Sequence, residues 1–90
     1  MADTLAALRK RIMFRSARRG THESDLIIGG FARVHVDGMD AGQLEKFEKL
    51  LEQNDPKLLS WVVGTQKVPE DFDHDVMKLL QNFKNSMSTN

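Results

Sequence analysis

Cysteine and tyrosine are both missing from this chain of 90 residues. Without cysteine there can be no disulfide staple, no thiolate nucleophile and no Cys-based zinc site, which fits a reducing compartment. The few serines lie mostly toward helix ends or in the tail, and no Ser/His/Asp arrangement is suggested by the sequence. The three histidines, His22, His35 and His74, share no HxxxH or ExxH spacing. His74 stands between Asp73 and Asp75, but adjacent residues on a helix point different ways and do not make a metal cage. Apolar runs are short, none approaching the roughly 20 residues that span a bilayer. Gly29-Gly30 is followed by no lysine and belongs to neither a GxGxxG nor a GxxxxGK pattern, so a phosphate-cradling loop is absent too. The expectation is a protein with no catalytic side chain, no metal site and no stably bound cofactor of its own.

What is present suits one globular domain, with 40% apolar and 29% charged residues and a formal net charge of zero. The zero conceals an asymmetry. Residues 1–20 hold six bases (Arg9, Lys10, Arg11, Arg15, Arg18, Arg19) against Asp3, a net of +5; residues 21–90 hold seven bases against twelve acids, a net of −5. A basic end on an acidic body suits nucleic acid, an acidic membrane or an acidic protein surface. Nucleic acid is disfavoured by a pI near 6.8. The helix after Gly20 also opens with acids, where a recognition helix would enter a groove. The Arg-rich start has the composition of a mitochondrial presequence. It runs straight into Gly20 and the next helix without a linker, however, and reads as part of the fold.

Helical periods dominate. Leu5, Leu8 and Ile12 fall at i, i+3 and i+7 in a first segment over about 4–18, capped by Asp3 or Thr4, with Arg11, Arg15 and Arg18 on one exposed face. Gly20 then turns the chain, the residue that takes positive φ without steric cost. A second helix over about 21–35 follows, with Thr21 as N-cap, Glu23 and Asp25 in its first turn, and Ile27, Phe31 and Val34 along its stripe. The Val34-His35-Val36 alternation and Gly29-Gly30 point toward a strand, yet helix is preferred, the glycines admitting a neighbouring helix closely. Asp40 and Gln43 form a capping box for a third helix carrying Leu44, Phe47, Leu50 and Leu51, with Glu45–Lys49 as an i, i+4 pair. Asp55 caps a short fourth helix, with Pro56 at its first position, Trp61 as core anchor and Gly64 as stop. Pro69 opens the last helix, on which Phe72, Val76, Leu79, Leu80 and Phe83 keep the cleanest period; Asn85–Asn90 is a polar, frayed tail. The sum is an all-α bundle of five helices in a single domain, core about 4–84. On the residues alone it is a small interaction module, with a basic-faced nucleic-acid binder as the alternative.

Arg19-Gly20-Thr21-His22-Glu23 matches an RGxxE motif, and through it the chain resembles the FAD assembly factors of succinate dehydrogenase, the flavinylation-promoting proteins of bacteria and mitochondria. The resemblance runs over about residues 10–84, through Phe31-Ala32, Leu44 to Leu51, Asp55-Pro56, Trp61, Lys67-Val68-Pro69 and Val76 to Leu80. It implies a five-helix bundle that binds the flavoprotein subunit of succinate dehydrogenase, or that of fumarate reductase. It also implies that the chain promotes covalent FAD attachment to a histidine of that partner without catalysing through a side chain of its own. Arg19, Gly20 and Glu23 would then face the partner, with Arg15, Arg18 and His22 beside them, and the FAD would stay with the partner. The expected state is a monomer, or a weak dimer through apolar surface near Gly29-Gly30, without membrane insertion. Since residues 1–9 show no long leader, the expected place is the bacterial cytoplasm, or the mitochondrial matrix if the source is eukaryotic.

Overall fold

The computed structural model describes residues 4–17 and 19–87 and arranges them as five helices around one core, with no strand among the described residues. The first helix, α1 (Thr4–Ala17), buries Ile12 and Ser16 and lays Leu5, Leu8 and Met13 against the core. The Ser16 hydroxyl donates to the Ile12 carbonyl at 2.7 Å, so the buried oxygen is satisfied within its own helix. The expected cap at Asp3 and the end of the helix at Arg18 lie outside the described residues.

The second helix, α2 (22–35), opens on a reciprocal capping box in which the Thr21 side chain accepts from the Ser24 amide and the Ser24 hydroxyl accepts from the Thr21 amide. Over Asp25–Gly29 the helix widens to a π-type turn, then resumes α geometry over Gly30–His35. The suspected strand is thus only a helix end running into a 3-10 turn at Val36–Gly38. Close packing at the glycines is real. A Cβ on Gly29 would meet the Ser16 carbonyl of α1 at 3.5 Å, and one on Gly30 would meet the Phe83 ring at 3.2 Å. Gly29 is buried and Gly30 half-buried, and the exposed apolar residues on this helix are Leu26 and Val34 on either side of them.

Next, α3 (Ala41–Leu51) starts at the Asp40–Gln43 capping box and buries Leu44, Phe47, Leu50 and Leu51. Glu45 and Lys49, spaced for an i, i+4 pair, make no ion pair among the described residues, while Glu48 and Lys46 reach neighbouring helices. Glu48 meets Arg11 and Arg15 of α1, and Lys46 meets Asp75. For α4 (Asp55–Val63) the cap is Asn54, whose side chain accepts from the Lys57 amide at 2.9 Å; Asp55 is the first helical residue and Pro56 the second. Gly64 ends the helix with φ of 90°, a left-handed conformation that favours glycine.

Pro69 opens a 3-10 turn at Glu70–Phe72 rather than the last helix. Phe72 accordingly leaves the helical stripe and stacks on Trp61, ring centroids 5.1 Å apart, with Trp61 buried as the core anchor. The last helix, α5 (Asp75–Met87), is capped by His74, whose Nδ1 accepts from the Met77 amide at 3.2 Å. It extends through Asn85 to Met87, residues assigned to a tail by their polarity, while 88–90 lie outside the described residues. Phe31, Phe47, Leu44, Leu50, Leu58, Met77 and Leu80 are the large side chains that fill the centre.

Candidate partner interface at the α1–α2 turn

A carboxylate from α4 organises the turn between α1 and α2. Asp55 Oδ1 accepts from Arg19 Nε at 2.8 Å and lies 2.6 Å from Nη2. Its other oxygen, Oδ2, accepts from the Gly20 backbone amide at 2.6 Å and from the Ser24 hydroxyl at 3.2 Å. Burial acts to raise the Asp55 carboxyl, but the Gly20 amide, the Arg19 guanidinium and the Ser24 hydroxyl outweigh it and hold the group below its ordinary range.

Arg19 does more than pair. Nη1 donates to the Leu51 carbonyl at 3.1 Å and Nη2 to the Gln53 carbonyl at 3.3 Å, which satisfies carbonyls left over where α3 ends. The Arg19 backbone amide donates to Asp25 Oδ1 at 2.9 Å, in the first turns of α2. One residue thus ties together the start of α2, the end of α3 and the start of α4. Its side chain is only 9% exposed, and that of Asp55 13%.

Gly20 does not supply the positive φ expected of it; among the described residues Gly64 alone takes that conformation. The reason for glycine here is proximity. A Cβ at this position would sit 3.3 Å from Asp55 Oδ2, the oxygen that the Gly20 amide must reach. His22 and Glu23 follow on the exposed first turn of α2, and Glu23 makes no ion pair among the described residues. Arg15 is an exposed residue of α1 with Nη1 3.4 Å from Glu48. Arg18 lies outside the described residues. The structure therefore brings Arg19 and Gly20 together on Asp55, sets Glu23 and His22 at the rim, and leaves Arg15 one helix face away.

Open depressions flank the turn. Glu23, Leu26 and Ile27 line one with Lys84 and Met87; Phe14, Arg15 and Arg19 line the other with Leu51 and Glu52. Phe14 is 62% exposed, an aromatic that lies off the Leu5–Leu8–Ile12 stripe and could have been marked as outward-facing on that ground. The basic face is partly neutralised, because the Arg11 hydrogen bond holds the Glu48 carboxyl below its usual range against the effect of burial. No cluster of potential metal ligands exists among the described residues. Asp55, a helix cap by its position before Pro56, instead serves the turn, and Asn54 takes the cap. Asn54-Asp55 offers two candidate caps for one helix, and the second was free for another use.

Residues 10–84 match a family model described as flavinator of succinate dehydrogenase. The chain is 45% identical over 69 residues to the FAD assembly factor SdhE of Acetobacter pasteurianus, covering 77% of this chain and 63% of that protein. It is 37% identical over 75 residues to the mitochondrial succinate dehydrogenase assembly factor 2 of Dictyostelium discoideum, covering 83% of this chain and 53% of that one. The zebrafish (Danio rerio) protein of the same name is 30% identical over 83 residues, with 90% and 52% covered. The chain thus spans between about half and two thirds of the length of these relatives.

Proposed function

This chain belongs to the family of succinate dehydrogenase flavinators, and from that premise we propose that it binds the FAD-bearing flavoprotein subunit of succinate dehydrogenase and promotes covalent attachment of FAD to it. The observation that carries the proposal is the match over residues 10–84, which includes the Arg19–Glu23 motif and the Asp55 carboxylate that holds Arg19 and Gly20. The fumarate reductase flavoprotein is a second partner of the same chemistry. The basic-faced nucleic-acid reading is not favoured by these relatives.

Arg19, Gly20 and Glu23 form the partner-facing turn, and Glu23 with His22 is its exposed edge. The protein acts as an assembly factor without a catalytic side chain and holds no FAD stably. Gly29 and Gly30, the residues nearest in type to a phosphate loop, are packed against Ser16 and Phe83, which supports leaving the dinucleotide with the partner. Attachment requires the partner's acceptor histidine to stand beside the flavin. A surface that binds the competent conformer more tightly than the others raises its population in proportion to that difference in affinity. The chain works as a monomer or a weak dimer, in the cytoplasm of a bacterium or the matrix of a mitochondrion.

In-gel flavin fluorescence of the denatured succinate dehydrogenase flavoprotein tests the proposal, with that subunit expressed alone, with the wild-type chain, or with Glu23→Ala. Covalent flavin rises with the wild type and drops with Glu23→Ala. An equal signal in all three lanes would remove both the function and its site.

A further inference from the structure

We infer that Asp55 is a positioning residue of the partner-facing turn, the acceptor through which Arg19 and Gly20 set the place of Glu23; this rests on the function proposed above. The guanidinium of Arg19 faces oxygen acceptors of its own chain at each of its three nitrogens: Asp55 Oδ1 at Nε, the Leu51 carbonyl at Nη1, the Gln53 carbonyl and Asp55 Oδ1 at Nη2. A partner carboxylate would have to displace these bonds before Arg19 could reach across. Gly20 has no side chain to offer, and its amide is aimed at Asp55 Oδ2. Two of the three motif residues therefore meet on one carboxylate, with the remaining guanidinium N–H groups of Arg19 held by backbone carbonyls, and the third, Glu23, is left exposed without an ion pair among the described residues.

The link from Asp55 to Glu23 is short. Oδ2 holds the Gly20 amide and the Ser24 hydroxyl, which are the residue before the capping box and the residue that closes it. Thr21 and Ser24 bind each other, and His22 and Glu23 lie between them. The first turn of α2 is thereby anchored at both ends to α4, across a sequence separation of more than 30 residues. Both carboxylate oxygens act as acceptors. An amide at the same position presents one oxygen and one NH2, so one side of the site would set donor against donor. Asp55→Asn thus removes the function of the group while keeping its shape.

The test is a double-mutant cycle on binding to the succinate dehydrogenase flavoprotein, measured by calorimetry at a temperature where circular dichroism shows every variant folded. Asp55→Asn weakens binding roughly tenfold, on the scale of Glu23→Ala, and the double variant loses little more than either alone, as expected of coupled residues. A folded Asp55→Asn that binds like the wild type, while Glu23→Ala does not, overturns the inference and leaves the proposed function standing. So does a double variant whose loss is the product of the two single losses. A wild type that fails to bind overturns the proposed function instead.

A second measurement needs no Asp55 variant. In Glu23→Gln, amide resonances of Gly20 and of residue 23 are followed by NMR as pH is lowered, together with the Asp55 carboxyl carbon. Both amides move with the Asp55 titration; an amide at residue 23 that stays fixed while Asp55 protonates overturns the inference.

Discussion

Arg19 and Asp55 meet at 2.6 Å with both side chains largely enclosed, whereas Arg11 and Glu48 meet at the same distance with the arginine 52% exposed. The same pair chemistry therefore has different consequences. Taking Arg19 away leaves a mostly buried carboxylate and two uncapped carbonyls, so Arg19→Ala is expected to destabilise the fold by about 3 kcal/mol in urea unfolding. Arg11→Ala removes a half-exposed arginine and leaves Glu48, itself 17% exposed, still beside Arg15 at 3.4 Å, so its loss is expected to be smaller. Asp55 also gives a pH dependence. Its folded pKa lies below the unfolded one, so the native state binds fewer protons and the stabilisation is present above the ordinary carboxylate pKa near 3.8. It is lost as pH falls through the depressed folded value. Asp55→Asn should have a lower midpoint than the wild type at pH 7 and a flatter dependence of Tm on pH below about 4. Parallel Tm curves for the two proteins would show that other carboxylates govern acid unfolding.

At the scale of elements, what was legible followed from local chemistry. The Asp40–Gln43 box, the Thr21 cap and the Gly64 stop each depend on residues within about one turn of one another, and each is present. What was not legible depended on partners far along the chain. Asp55 ceased to be a cap because Arg19 and Gly20 draw its oxygens, and Phe72 left the last helix because Trp61 offers a ring to stack on. The π-type turn in α2 is of the same kind, lying where α1 and α5 press on Gly29 and Gly30. Those two glycines make separable predictions. A Cβ on Gly29 meets its neighbours at 3.5 Å, an ordinary contact, so Gly29→Ala should raise stability by up to about 1 kcal/mol through helix propensity. A Cβ on Gly30 meets the Phe83 ring at 3.2 and 3.3 Å, and Phe83 also packs edge-on against Phe31. Gly30→Ala should therefore stabilise less than Gly29→Ala, or destabilise. Chemical denaturation of the two variants decides the order, and the reverse order would mean that the contact at Phe83 does not limit α2.

For the molecule as a whole, the charge asymmetry along the chain becomes a set of ties between helices. Arg9 donates to the carbonyls of Val36 and Met39, Arg11 and Arg15 meet Glu48, and Arg19 meets Asp55, so much of the basic end is turned onto the acidic body. The same cross-ties bear on how the fold is lost. Ile12 of α1, Phe31 of α2, Phe47 of α3, Trp61 of α4 and Leu80 of α5 belong to one buried cluster, and there is no second cluster among the described residues. Unfolding should be a single transition. The lone tryptophan makes this testable, since Trp61 reports the α4–Phe72 corner while helical circular dichroism reports the entire chain. The two midpoints in urea should coincide. Phe31→Ala, which empties the site where Phe47, Phe83 and His35 meet, should lower both midpoints together at a cost of about 3–5 kcal/mol. That is a large share of the stability of so small a domain. If Phe31→Ala shifted the circular dichroism midpoint while Trp61 fluorescence stayed in place, α4 and its corner would be an independent folding unit. The Arg19–Asp55 tie would then be a docking contact between two bodies rather than part of one core.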